Sequence, residues 1–181
     1  MTRPGTTMRL HATIMDQPRK LLLSLAAVAV LANAGVARAA VPAGQPVDGI
    51  RCEQMEGSVL HVHQHLTVLD HGKPIAVPDD VGRPFIGQCL YWLHTHTPDG
   101  IIHVESPVQR TFTLGDFFDI WGQPLGPNKV GPAAGPVTAI YNGKQYDGNP
   151  RDIPLDAHAQ IQLEVSRPLV GPVTVSFAGV G

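Results

Sequence analysis

The chain has 181 residues, with 13 basic and 15 acidic side chains, nine histidines and two cysteines. Its formal charge of -2 at pH 7 lacks the basic excess of a nucleic-acid binder, and its length suits one domain with a real core. The apolar run Leu21 to Leu31, interrupted only by Ser24, is shorter than the ~20 residues that span a bilayer.

That run follows Arg19 and Lys20 and leads to Ala37-Arg38-Ala39. A charged start, a short apolar stretch and an A-x-A-like ending read as a secretory signal peptide over residues 1–40, with Met15 as an alternative start. The small-residue ending argues against an uncleaved anchor. Cleavage after Ala39 or Ala40 would leave residues 41–181 with 8 basic and 14 acidic side chains, a formal charge of -6. The expected location is the periplasm or the medium, with no stable membrane span after cleavage. In such an oxidising compartment the pair Cys52 and Cys89 reads as a disulfide. Thiolate binding of a metal is the alternative.

Residues 41–50 read as a Pro- and Gly-containing lead-in. Val59 to Leu69 alternates as a strand, with Leu60, Val62, Leu66 and Val68 on one face and His61, His63, His65, Thr67 and Leu69 on the other. Asp70-His71-Gly72 is a turn signal, and Lys73 to Val77 a returning strand. Pro78 to Pro84 reads as a loop. Cys89 to Thr95 and Ile101 to Ser106 flank Thr97-Pro98-Asp99-Gly100 and predict a hairpin. Thr113 with Asp116 three residues on marks the start of a short helix, Leu114 to Trp121, that would bury Leu114, Phe117, Phe118 and Trp121. Asp116 and Asp119 would lie on its solvent face. Gly122 to Pro136 reads as a long loop or surface lid. Val137 to Tyr141 and Lys144 to Tyr146 form a hairpin around Asn142-Gly143, and Ala159 to Val165 and Val173 to Phe177 are further strands. The expected fold is mainly β, a compact sandwich or barrel-like sheet with one short helix. The order strand, Gly turn, strand recurs between 66–78 and 137–154, which allows two related β-units within one domain over 41–181.

The histidines are arranged in rows. His61, His63 and His65 share one strand face at ~6.6 Å spacing, from a rise of about 3.3 Å per residue. His94 and His96 form a second row, and His103 and Glu105 a third. Neutral imidazole is the commonest ligand for borderline cations, and a strand holds alternate side chains rigidly. The hairpin register decides whether the rows converge. A three-residue loop would pair His94 with Val104 and turn His103 away from His94. A four-residue loop would place His94 opposite His103. His71, in a turn, and His158, far along the chain, read as bystanders.

The spacing His94-x-His96 is similar to the start of a cupin motif, but Glu105 falls too late for it. No Gly-x-Ser-x-Gly, phosphate loop or His-Glu-x-x-His is present. The stretch Cys89-Leu-Tyr-Trp-Leu-His-Thr-His-Thr-Pro-Asp-Gly-Ile-Ile-His-Val-Glu-Ser-Pro resembles an uncharacterised family of exported bacterial and archaeal proteins. So do Thr113-Leu-Gly-Asp-Phe-Phe-Asp-Ile-Trp-Gly and the earlier row His61-Val-His-Gln-His-Leu. The resemblance spans most of residues 41–181 and implies export without an assigned activity.

Together these features lead to an exported, β-rich metal-binding protein. His61, His63, His65, His94, His96 and His103 are the candidate ligands, for copper or zinc that the protein would hold or buffer. A metalloenzyme with three histidines and Glu105 as general base is an alternative. A metal-free interaction domain with a pH-sensitive histidine surface is another.

Overall fold

Two short strands and one long one open the fold: β1 (Cys52–Glu53), β2 (Leu60–Asp70) and β3 (Lys73–Ile75). The computed structural model describes residues 1–2, 43–84 and 88–180. The signal-peptide expectation falls, but for its first two residues, outside the described residues. Residues 1–37 and 38–181 make two units, and every element named below belongs to the second. Next come β4 (Leu90–Tyr91), β5 (Leu93–His94) and β6 (Ile101–Ser106), then the helix α1 (Leu114–Trp121). A meander of β7 (Leu125–Gly126), β8 (Lys129–Val130) and β9 (Ala133–Ala134) follows. The hairpin β10 (Val137–Tyr141) and β11 (Lys144–Tyr146), a 3-10 turn at Pro150–Asp152 and β12 (Gln160–Val165) complete the order.

Among the described residues the architecture is mainly β with one short α-helix. Its principal sheet runs β11-β10-β12-β2-β6-β5, with β3 also beside β2, and ends on β11 and β5 without closing into a barrel. The alternation of β2 explains its central place. Leu66 and Val68 face a core that also takes Leu93, Ile102, Val104, Ile161, Leu163 and Val165 from neighbouring strands. Phe117 and Phe118 of α1 are fully buried against that layer, each contributing roughly 1.5–3 kcal/mol of transfer free energy. Thr113 and Asp116 cap the helix reciprocally, and Gly122 ends it at φ 70°, in the left-handed region where glycine carries no Cβ penalty. Trp121 is only partly buried against the core. Asp119 is not on the solvent face: its carboxylate accepts from Arg151 and is 7% exposed.

Two further expectations are corrected. Residues 122–136 are not a free loop or lid. Two-residue turns at Pro127-Asn128 and Gly131-Pro132 fold them into the β7–β9 meander, whose Leu125, Val130 and Ala133 enter the core. Residues 173–177 form no strand. The Val170 N–H donates to Glu164 Oε2 (2.7 Å), that of Val173 to Gln162 Oε1 (2.8 Å) and that of Val175 to Gln160 Oε1 (3.0 Å). Long side chains on β12 thus stand in for a partner backbone, so the tail crosses the sheet face instead of extending its edge. Cross-strand partners share a face, and Gln160 pairs with His65. The tail therefore covers the β12 half of the histidine face and leaves the half formed by β2, β6 and β5 to the histidines.

Candidate metal centre

The convergence of the rows follows from register. In the antiparallel pair β2–β6, His63 lies opposite His103 and His61 opposite Glu105. In β5–β6, His94 lies opposite His103, which is the four-residue-loop register. Gly100 makes it reachable. Its φ is +83°, its carbonyl accepts from the Leu66 N–H at 2.9 Å, and a Cβ there would lie 2.4 Å from the Leu66 carbonyl oxygen. His103 thus stands between two rows, its ring centroid 4.5 Å from His63, 4.4 Å from His96 and 5.4 Å from His94.

Among the described residues, two sets of side chains could hold a metal ion: His61, His63, His103 and Glu105, and His94, His96, His103 and Glu105. Within each set the donor atoms all lie within 4.8 Å of one another. Ligands at 2.0–2.1 Å from a tetrahedral ion stand about 3.3 Å apart. The observed separations bracket that value: His94 Nε2 to His96 Nε2 is 3.0 Å, His61 Nε2 to Glu105 Oε1 is 3.2 Å, and His94 Nε2 to Glu105 Oε2 is 3.6 Å. The donor set of imidazoles and one carboxylate fits zinc and Cu(II) alike.

The tautomers are also arranged for ligation. His94 Nδ1 lies 2.9 Å from the Tyr91 carbonyl oxygen, which can only accept, so Nδ1 carries the proton and neutral His94 presents the Nε2 lone pair to the cluster. His103 Nδ1 is 3.2 Å from Glu105 Oε1. Burial is the main cause that pushes His94 down to about 4, the Tyr91 carbonyl opposing it and His96 and Arg83 adding to it. Burial and then His96 and His63 push His103 down to about 3. Burial and Arg83 lower His96. These rings are therefore neutral at physiological pH, the form that binds metal. Glu105, 3% exposed, is raised by burial and by nearby Glu56, and its Oε2 is buried without a hydrogen-bond partner. A buried carboxylate oxygen in that state is costly, and a cation would satisfy it.

His65 stands outside both sets. The residue opposite it is Ile101, and its Nε2 is taken by the Asp99 carbonyl at 2.9 Å. His71 contacts Asp70 in the turn, and His158 stacks on Phe177. Cys52 and Cys89 are disulfide-bonded, so neither offers a thiolate. Sequence reasoning missed Glu56. It reaches to 4.0 Å from His96 Nε2 because Gly57 packs where a Cβ would lie 2.2 Å from the Ser106 carbonyl carbon. Nothing in the local sequence marks that contact. His61 and His96, the exposed members, form the rim above buried His63, His94, His103 and Glu105.

No helix among the described residues is long and apolar enough to cross a membrane. Comparison of the chain with protein-family models, curated proteins and solved structures gives no match.

Proposed function

We propose that this is an exported protein that binds copper or zinc on the histidine face of its sheet and holds the ion there. The observation that carries the reading is His94: fully buried, with Nδ1 engaged by the Tyr91 carbonyl and Nε2 directed at His96 and Glu105. A histidine oriented through its second nitrogen is the usual way a protein prepares a metal ligand. Either set offers three imidazoles and a carboxylate, enough donors for the four-coordinate sphere of one ion, which favours holding that ion over turnover. The disulfide agrees with an oxidising compartment. Neutral, buried His94 and His103 speak against a pH-sensing surface, because their titration lies well below the range in which such switches work.

Elemental analysis of untagged protein purified from the periplasm tests the proposal. At least one copper or zinc ion per chain is expected, and protein devoid of both that also fails to take them up would sink it. A metalloenzyme is the second reading, favoured by the buried Glu105 carboxyl and its unpartnered Oε2, which suit a general base. In that case Glu105→Gln would abolish turnover of whatever the metal-loaded protein converts.

A further inference from the structure

The two ligand sets share His103 and Glu105, and the two oxygens of Glu105 face different sets. Oε1 is 3.2 Å from His61 Nε2 and 3.2 Å from His103 Nδ1, whereas Oε2 is 3.6 Å from His94 Nε2. We propose that the site takes two divalent transition-metal ions side by side, bridged by the Glu105 carboxylate, one held by His61 and His63 and the other by His94 and His96. This rests on the metal-binding reading and specifies its stoichiometry.

The donor count supports it. One ion of this class is saturated by about four ligands, and the face presents six. His63 on β2 and His94 on β5 flank His103 on its two neighbouring strands, and the His63 and His96 ring centroids lie 4.5 and 4.4 Å from it, so the imidazoles form two groups, with His103 within reach of either ion. A carboxylate between two dications offsets their repulsion, and paired-metal sites typically hold their ions about 3.5–4 Å apart. Glu56, 4.0 Å from His96 and close enough to act on Glu105, adds a second negative charge at the rim.

Cu(II) is the probe. The chelator-stripped full chain is loaded with Cu(II), desalted, and examined by elemental analysis and electron paramagnetic resonance. The proposal expects two copper ions per chain with an integrated spin well below the copper content, because adjacent bridged ions couple. His61→Ala and His96→Ala should each hold one copper per chain with full spin. Both positions are exposed, and equal melting of the metal-free variants and wild type verifies that they fold. Glu105→Gln should remove the coupling. One copper per chain in the wild type would overturn the pair and leave the metal-binding reading standing. Two copper ions with full spin, or coupling that survives Glu105→Gln, would overturn the carboxylate bridge. No retained copper would overturn the metal-binding reading itself.

Discussion

The Nδ1–H of His94 donates to the Tyr91 carbonyl over 2.9 Å, so the lone pair of Nε2 is directed at His96 and Glu105 before any ion arrives. This pre-orientation makes His94 the most sensitive position of the cluster. His94→Ala should lower Cu(II) or Zn(II) affinity at least tenfold, or about 1.4 kcal/mol. His158→Ala should leave it unchanged, since that ring stacks on Phe177 and belongs to neither ligand set, and only its backbone N–H touches the cluster, at the His63 carbonyl, a bond that alanine keeps. Calorimetric titration of the two variants is the check, and equal affinity for His94→Ala and wild type would remove His94 from the ligands.

Acid should destabilise the metal-free protein. His94 and His103 are held at about 4 and about 3 in the fold, against about 6.5 in the unfolded chain. Between those values the unfolded chain binds more protons, so stability is complete above about pH 6.5 and is lost as pH falls through the window. Burial lowers His65 and His96 too. The raised carboxyl of Glu105 acts in the opposite sense, but one group opposes four. A drop of 1.5 pH units below 6.5 is worth about 2 kcal/mol for one such histidine. Thermal melting in the presence of chelator should therefore fall by at least roughly 5 °C between pH 7 and pH 5. A flat profile would contradict the burial of these rings.

Reduction of the disulfide should weaken the fold without supplying ligands. Cys52 and Cys89 close a loop of sequence separation 37, which the chain-entropy account values at roughly 3–4 kcal/mol. Chemical denaturation of a Cys52→Ala/Cys89→Ala double variant should show a loss of that order, with metal stoichiometry unchanged. Thiol labelling of the denatured, unreduced protein should find no free cysteine, and two labelled cysteines would refute the bond.

Gly100 is where a single methyl group should disturb stability and site together. A Cβ there would sit 2.4 Å from the Leu66 carbonyl oxygen and 3.1 Å from His65 Nε2, at a φ of +83°. Gly100→Ala should cost about 1–3 kcal/mol and weaken metal affinity by moving His103 relative to His94. Wild-type melting and affinity would show that the turn does not set the hairpin register.

Export predicts a definite product. The intact mass of protein recovered from the periplasm should correspond to a chain beginning at Ala40 or Val41, and recovery of only the full-length chain in the cytoplasm would refute the signal-peptide reading.

Much of the candidate site follows from local chemistry. A strand alternates its side chains, so spacing by two is enough to place His61, His63 and His65 on one face, and Thr97-Pro98-Asp99-Gly100 is enough to turn the second row back on the third. The capped helix was legible for the same reason, because Thr113 and Asp116 satisfy each other within a single turn. Register and pairing are different in kind, because they depend on which segments meet across long stretches of chain. Only the fold decided that His103 faces both His63 and His94, that Ile101 and not a histidine lies opposite His65, and that Glu56 reaches His96 from a neighbouring loop. The tail is the plainest case: Val173, Val175 and Phe177 alternate as a strand does, yet Gln160, Gln162 and Glu164 take up its backbone groups and hold it flat across the sheet face. Local sequence carries backbone preference and side-chain direction, whereas the partner of each hydrogen bond is chosen by the packing of the whole domain.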